Sequence, residues 1–446
     1  MRHQFKKDKG LLFILKKVFT SMSFRIVGLL SAFLFTWLIA SKFGAYSLGL
    51  MSANLAIINI GATFLRLGVN THAISYVARQ NALGQHDLIR SYFRKTMLLY
   101  LIMAIVGTTI ILSLGPWLGQ IMGLSPEDNK FSLSGLFLLP LMMLQLNSAF
   151  LQAYKKVMAF SFFLNGGTSF FSLLIILPLL DQTSNLQLPL YIQLASICLL
   201  TVISFIMTFR FINPFKPVVE QTISYKKIIE QSFPMMITSA VYPLWSWGGV
   251  LILGIFAPIS SVGVFQLLLK VSNLISLPLR AISTIMAPII SEEASINKES
   301  QIQEVIKKNS SLSFVLSLPI IALTSIFAKD LMALFGTEFI PFWHLLIVLL
   351  ASKFINACYG PISIILMMTG KENLQGKLSL IELSFYLIIT FSCSWLWGLE
   401  GATIALLISV IFRNLLVGSQ IYKIYHVYPL APLHLRKSII NYLKHG

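Results

Sequence analysis

Residues 96–116 read TMLLYLIMAIVGTTIILSLGP, a run without one charged side chain, directly after the basic pair Arg94-Lys95. As a helix rising about 1.5 Å per residue, such a run reaches roughly 31 Å, the thickness of a bilayer's hydrocarbon core. Lipid offers no partner to an open backbone N–H or C=O, so the run must be helical. Similar runs lie near 21–41, 46–69, 131–153, 157–180 and 187–209. A second set lies near 232–256, 262–286, 311–335, 341–367, 378–397 and 400–422. Pro243, Pro278 and Pro361 fall inside these runs and are expected to kink them.

Composition agrees with twelve spans. The 446 residues are 56% hydrophobic and 11% charged, with a mean hydropathy of +0.79. A soluble domain carries about 25% charged residues. A chain so short of charge cannot cover a water-facing surface, which excludes an ordinary soluble protein. The formal charge of +18 would suggest nucleic acid in a soluble chain. Here the bases sit in short loops between apolar runs, so no nucleic-acid partner is expected and anionic membrane lipids are. The three cysteines, Cys198, Cys358 and Cys393, all lie within runs and imply no disulfide framework.

Lysine and arginine also set direction. The leader 1–20, the loops at 71–95, 154–156, 210–227, 292–309 and 371–377, and the tail after Tyr422 hold 25 of the 34 basic residues. The alternate loops hold Lys42, Lys130 and Lys329 only. By the positive-inside rule both termini are expected on the cytoplasmic side. No small-residue cleavage site follows the first run, so the basic leader is expected to remain. The implied organisation is a cytoplasmic leader at 1–20, a six-helix bundle at 21–210 and a linker at 211–231. A second six-helix bundle at 232–422 and a cytoplasmic tail at 423–446 complete it.

The two sets of six resemble each other at an offset of 214 residues. Ser47-Leu48-Gly49-Leu50 falls on Ser261-Val262-Gly263-Val264, and Arg66 falls on Arg280. Arg94-Lys95 falls beside Lys307-Lys308. Six spans per unit is even, so the repeats share one topology. The predicted fold is all-α: twelve transmembrane helices in two six-helix bundles around a central cavity, an arrangement suited to rocking motions.

Charges inside the runs mark candidate function. A charge at the centre of a spanning helix costs about 2.5–3.5 kcal/mol on insertion scales and usually faces a cavity or a partner. Lys270, Lys353 and Arg413 lie well inside runs, while Arg25, Arg66 and Arg280 lie near cytoplasmic ends, where snorkelling also accounts for them. Glu382 is the embedded acid, at a depth comparable to Arg413, and is assigned as that arginine's ion-pair partner or as a coupling group. No embedded acid then remains for Lys270 and Lys353, and a water-filled cationic cavity receiving an anion is the less costly arrangement. A lipid diphosphate is the obvious membrane-borne anion, met by lysine as a point charge. Tyr242, Trp245 and Trp247, beside Gly248-Gly249, are candidate sugar-facing aromatics, with helix packing as the competing reading.

Several enzyme signatures are missing. Residues 370–378, GKENLQGKL, have the wrong spacing for a phosphate loop, and Leu378 stands where a magnesium-holding hydroxyl is needed. There is no HExxH, no Asp-x-Asp pair and no long external loop to carry an active site. No enzyme activity, metal or cofactor is expected.

The stretch from Ala40 to Arg79, ASKFGAYSLGLMSANLAIINIGATFLRLGVNTHAISYVAR, resembles the opening of O-antigen and polysaccharide flippases. These belong to the multidrug/oligosaccharidyl-lipid/polysaccharide exporter superfamily. Gly44, Tyr46 and Gly49, then Gly68 and Arg79, carry the likeness. Residues 260–292, SSVGVFQLLLKVSNLISLPLRAISTIMAPIISE, look like the matching segment of the family's second half. The resemblance implies a bacterial inner-membrane protein working by alternating access. Its substrate would be an undecaprenyl-diphosphate-linked oligosaccharide, an O-antigen or other surface polysaccharide repeat unit, with other polysaccharide-assembly membrane proteins as partners. It transfers no cavity residue by position, so the six bases above rest on charge alone. Two alternatives stand beside it: a cation-coupled multidrug exporter of the same superfamily, and a membrane glycan polymerase or ligase.

Overall fold

The computed structural model describes residues 2–179, 185–213, 223–276, 286, 290–292 and 299–432. Among them every regular element is helical. The first half comprises α1 (Arg2–Leu65), α2 (Val69–Ala82), α3 (His86–Ile121), α4 (Phe131–Gly135), α5 (Leu138–Ala153), α6 (Val157–Asn165), α7 (Gly167–Ile176) and α8 (Leu188–Ile212). The second comprises α9 (Tyr225–Phe256), α10 (Ile259–Ile275), α11 (Glu299–Ile326), α12 (Ala328–Ala333), α13 (Trp343–Tyr359), α14 (Ile362–Met368) and α15 (Glu372–Tyr425).

Two of these elements are too long for one crossing, and glycine breaks each. Gly44 interrupts α1 at φ 78°, ψ −179°, between the predicted runs 21–41 and 46–69. Gly398 interrupts α15 at φ 55°, ψ −125°, between 378–397 and 400–422. Only glycine adopts such angles without strain. The second break is a hairpin. A Cβ on Gly401 would lie 1.8 Å from the Cys393 carbonyl oxygen, whereas residues eight apart in a straight helix are separated by about 12 Å.

Eight helical stretches among the described residues are long and apolar enough to cross a membrane. Dividing α1 and α15 at their glycines makes ten limbs. The pair α6 and α7, bent by 63°, supplies another where 157–180 was expected. The last is α10, which covers the first part of the expected run 262–286; the rest of that run, with Pro278, lies outside the described residues. Pro361 stands at the break between α13 and α14, and Pro243 lies inside α9.

The chain divides into two compact units, Met1–Trp247 and Gly248–Gly446. The division falls within α9, because the first turns of α9 pack into the first unit. Lys95 Nζ donates to the Ile223 carbonyl at 2.6 Å. A Cβ on Gly68 would lie 2.3 Å from the Ser232 carbonyl oxygen, so glycine is what admits α9 there. In the first unit α1 packs against α5, α6 and α7, and α5 against α8. In the second, α13 packs against α10, α11 and α15. Outward faces of α3 (Leu98, Ile102, Ile105) and α11 (Leu312, Val315, Leu323) are apolar and exposed, which suits lipid rather than water.

Candidate functional site

The embedded charges of the second unit converge on neighbouring helices. On α10, Gln266, Lys270 and Asn273 follow at spacings of four and three, so they share one helical face. Gln266 is buried, Lys270 half-buried and Asn273 exposed, so this polar stripe rises out of the core along the helix. Lys353, half-buried on α13, donates from Nζ to Asn273 Oδ1 at 2.9 Å. Lys270 lies one helical turn before the carboxamide that Lys353 meets.

A second cluster sits on α14 and α15. Glu382 and Arg413 lie on opposite limbs of the α15 hairpin at nearly equal distances from Gly398, hence at one depth. Arg413 Nε is 3.5 Å from Glu382 Oε2; the glutamate side chain is 8% exposed and the arginine 32%. Arg413 Nη2 also donates to Ser363 Oγ at 3.0 Å. The embedded carboxylate therefore faces the arginine, and its charge is engaged there.

The other candidates are placed differently. Arg66 is buried, with Nε donating to the Ala62 carbonyl at 2.8 Å and an Nη2 contact to Thr63 Oγ1 at 3.0 Å. Both contacts are to residues three and four positions earlier in the chain. The Arg25 side chain and all of Arg280 lie outside the described residues. Tyr242 is 73% exposed, and Trp245 and Trp247 are half-buried. The adjacent Gly249 serves packing: a Cβ there would lie 2.3 Å from Tyr386 Oη on α15.

Three groups escaped the sequence reading. Asn273 is one, although its helical spacing from Lys270 was available as a signal. A second is His72, on the short helix α2 after the second span. Its Nδ1 lies 2.9 Å from Tyr92 Oη, and Tyr92 stacks on Tyr76 at 4.5 Å. Burial pushes His72 below its ordinary value, opposed by a hydrogen bond with Gln231. The third is a latch in the first unit. The Tyr46 hydroxyl donates to Asp128 Oδ2 at 2.6 Å, and Gln187 Nε2 to Asp128 Oδ1 at 3.1 Å. The Tyr46 bond holds the Asp128 carboxyl below the usual carboxylate range. Neither group has a motif; both depend on residues distant in the chain. Among the described residues no three side chains gather as a metal site.

Two helical units with bases embedded in their apolar runs are the make-up of a polytopic membrane protein. The chain belongs to the polysaccharide biosynthesis protein family, whose model matches residues 14–294. A MatE family model matches residues 234–396. The probable low-salt glycan biosynthesis flippase Agl15 of Haloferax volcanii is 27% identical over 173 residues, 39% of this chain and 37% of that protein. The matched stretch therefore spans less than half of that relative. A multidrug resistance MATE family transporter of the MOP superfamily, inward-facing, superimposes with TM-score 0.69 at 14% identity, covering 91% of this chain and 98% of that one. The lipid II flippase MurJ, in an inward closed conformation, gives TM-score 0.68 at 14% identity over 97% and 93%. These two likenesses establish the fold.

Proposed function

We propose that the protein is a flippase, not an enzyme, that moves a lipid-linked glycan across a membrane by alternating access. Its substrate's diphosphate is engaged by Lys270 and Lys353. The observation that carries this reading is the contact of Lys353 on α13 with Asn273 of α10, one helical turn from Lys270, while the embedded carboxylate of Glu382 faces Arg413. Two ammoniums facing lipid would cost about 5–7 kcal/mol, so this face serves a hydrated, anion-receiving route. Membership of the polysaccharide biosynthesis family and the likeness to a glycan-biosynthesis flippase support a glycan-bearing substrate.

The finer reading is an undecaprenyl-diphosphate-linked repeat unit of a surface polysaccharide such as O-antigen, carried across a bacterial inner membrane with both termini cytoplasmic. Two relatives that match in sequence are named as probable flippases of Haloferax volcanii, which supports a flippase without naming one glycan. Assembly proteins that supply or polymerise the repeat unit are the natural partners. The MatE match over residues 234–396 favours a drug exporter as the second reading. The site has the wrong sign for it: an organic cation would meet two lysines, and the carboxylate is already opposite an arginine.

The test is Lys270→Ala and Lys353→Ala in cells that depend on this protein for surface glycan. Both variants should reach the membrane at normal abundance and lose glycan export by at least about tenfold, the effect of one charged contact worth roughly 1.5–3 kcal/mol. Normal surface glycan in both overturns the cationic route. Export of an organic cation dye by the wild type would establish the second reading instead.

A further inference from the structure

The turn between α5 and α6 carries two adjacent lysines, Lys155 and Lys156, both exposed. Its backbone closes on α5. The Lys155 N–H donates to the Gln152 carbonyl and the Lys156 N–H to the Leu151 carbonyl, both at 2.9 Å. That path puts Lys155 at φ 59°. A Cβ is strained in this left-handed region, where glycine ordinarily stands. The sequence accepts the strain and places a cation there.

Lys156 is held by an aromatic ring. Its Nζ lies 4.5 Å from the centroid of Phe211, in the last turn of α8. Tyr154 lies against the same ring, centroids 6.1 Å apart. A ring face orients an ammonium without neutralising it. The acid of this region is already taken: Asp87 pairs with Arg90, whose Nε donates to the Ile212 carbonyl at 3.3 Å. Among the described residues neither Lys155 nor Lys156 makes an ion pair.

Apolar surface begins beside the two lysines. Met158 on α6 and Val202, Ile206 and Phe211 on α8 are exposed. The two helices meet in one apolar cluster through Phe163 and Leu200. Lipid-facing side chains of both therefore lead up to a cationic, aromatic end.

We propose that the α5–α6 turn and the end of α8 hold an anionic phospholipid. Its headgroup phosphate meets Lys155 and Lys156, and its acyl chains lie along Met158 and Ile206. A soluble anion would gain from the ammoniums but nothing from the apolar side chains, so a lipid is the occupant. The site lies within the first unit and does not depend on the transport reading.

Full-length protein in detergent is titrated separately with phosphatidylglycerol, phosphatidylcholine and inorganic phosphate. Bound lipid is counted by native mass spectrometry, and thermal unfolding is followed in parallel. Lys155→Gln/Lys156→Gln is compared with Lys371→Gln/Lys377→Gln, which removes the same charge from the second unit. The wild type is expected to retain phosphatidylglycerol over phosphatidylcholine. The first pair should weaken that retention about thirtyfold, the effect of two bases at a membrane surface, and the second pair should leave it as in the wild type. Lys155→Gly should unfold at a higher temperature without lipid, yet bind phosphatidylglycerol about fivefold more weakly. Equal losses in the two pairs would mean diffuse attraction and overturn the site. Equal retention of phosphatidylcholine overturns the anionic headgroup. Equal stabilisation by inorganic phosphate overturns the lipid as occupant. If the first pair fails to accumulate, unchanged retention by Lys155→Gly overturns the proposal.

Discussion

The 214-residue offset sets α10 of the second unit against the second limb of α1 in the first. One asparagine is common to both: Asn59 falls on Asn273. The two side chains behave differently. Asn59 Nδ2 donates to the Leu55 carbonyl of its own helix at 2.8 Å, while Asn273 Oδ1 accepts from Lys353. The neighbours explain why. Lys270 corresponds to Ala56 and Lys353 to Leu139, and Ala56 is fully buried. The repeat preserves helix geometry without preserving charge. In the first unit the equivalent face is packed, and its carboxamide closes on the backbone. In the second the same position serves an ammonium. The bases proposed to receive an anion lie in one of the two sets of helices.

The comparison breaks most sharply if the charge can be moved. Ala56→Lys places an ammonium where no side chain is exposed, and a buried unpaired charge costs about 3–5 kcal/mol. Its membrane abundance should collapse; abundance like that of the wild type would show the first unit to be as open as the second. A smaller effect is expected for Glu382→Gln, which removes the charge opposite Arg413. The loss is about 1.5–3 kcal/mol, the range for hydrogen bonds to charged groups, and should be read in the thermal unfolding midpoint. Export should fall only with abundance. A stable, abundant Glu382→Gln protein without export would make the carboxylate a coupling group.

Much of the fold could be read before any coordinates. Uncharged runs such as 96–116 admit one structure in lipid, and the alternation of basic loops predicts their direction. Lys270 and Lys353 stand out in the sequence as ammoniums amid leucines, and their part in transport is a proposal. What stayed hidden was relational. Asn273 meets Lys353 because α13 packs against α10, and no period in the sequence encodes that pairing. Gly44 and Gly398 stood in view, but only the backbone shows α15 folding back so that Gly401 meets Cys393. Arg66 joins the cavity bases by charge, and in the structure it is buried with Nε on the Ala62 carbonyl and Nη2 on Thr63; its place in a cavity is a sequence proposal. Arg25 and Arg280, grouped with it, remain sequence proposals.

Two weaker tests sharpen the contrast. His72 has no charged counterpart in the comparison and should act through stability alone. Its folded value lies below the ordinary 6.5, so the neutral ring's contribution is complete above that pH and is lost as pH falls below it. Lowering pH from about 7.5 to about 5.5 should depress the unfolding midpoint. His72→Gln should flatten that dependence. Least of all should Asn59→Ala matter: its side chain serves only its own helix, and a change within about 0.5 kcal/mol with normal export is expected. Loss of export in Asn59→Ala would return the first unit to the transport chemistry.

The central claim is that embedded positive charge in the second unit carries an anionic lipid head across the membrane. Its most direct test is reconstituted flipping of a fluorescent polyprenyl-diphosphate glycan in proteoliposomes, comparing the wild type with the Lys270→Ala/Lys353→Ala double variant. The expected result is rapid transfer by the wild type and none above protein-free vesicles by the double variant, with both proteins folded and inserted. Transfer by the double variant at the wild-type rate would contradict it.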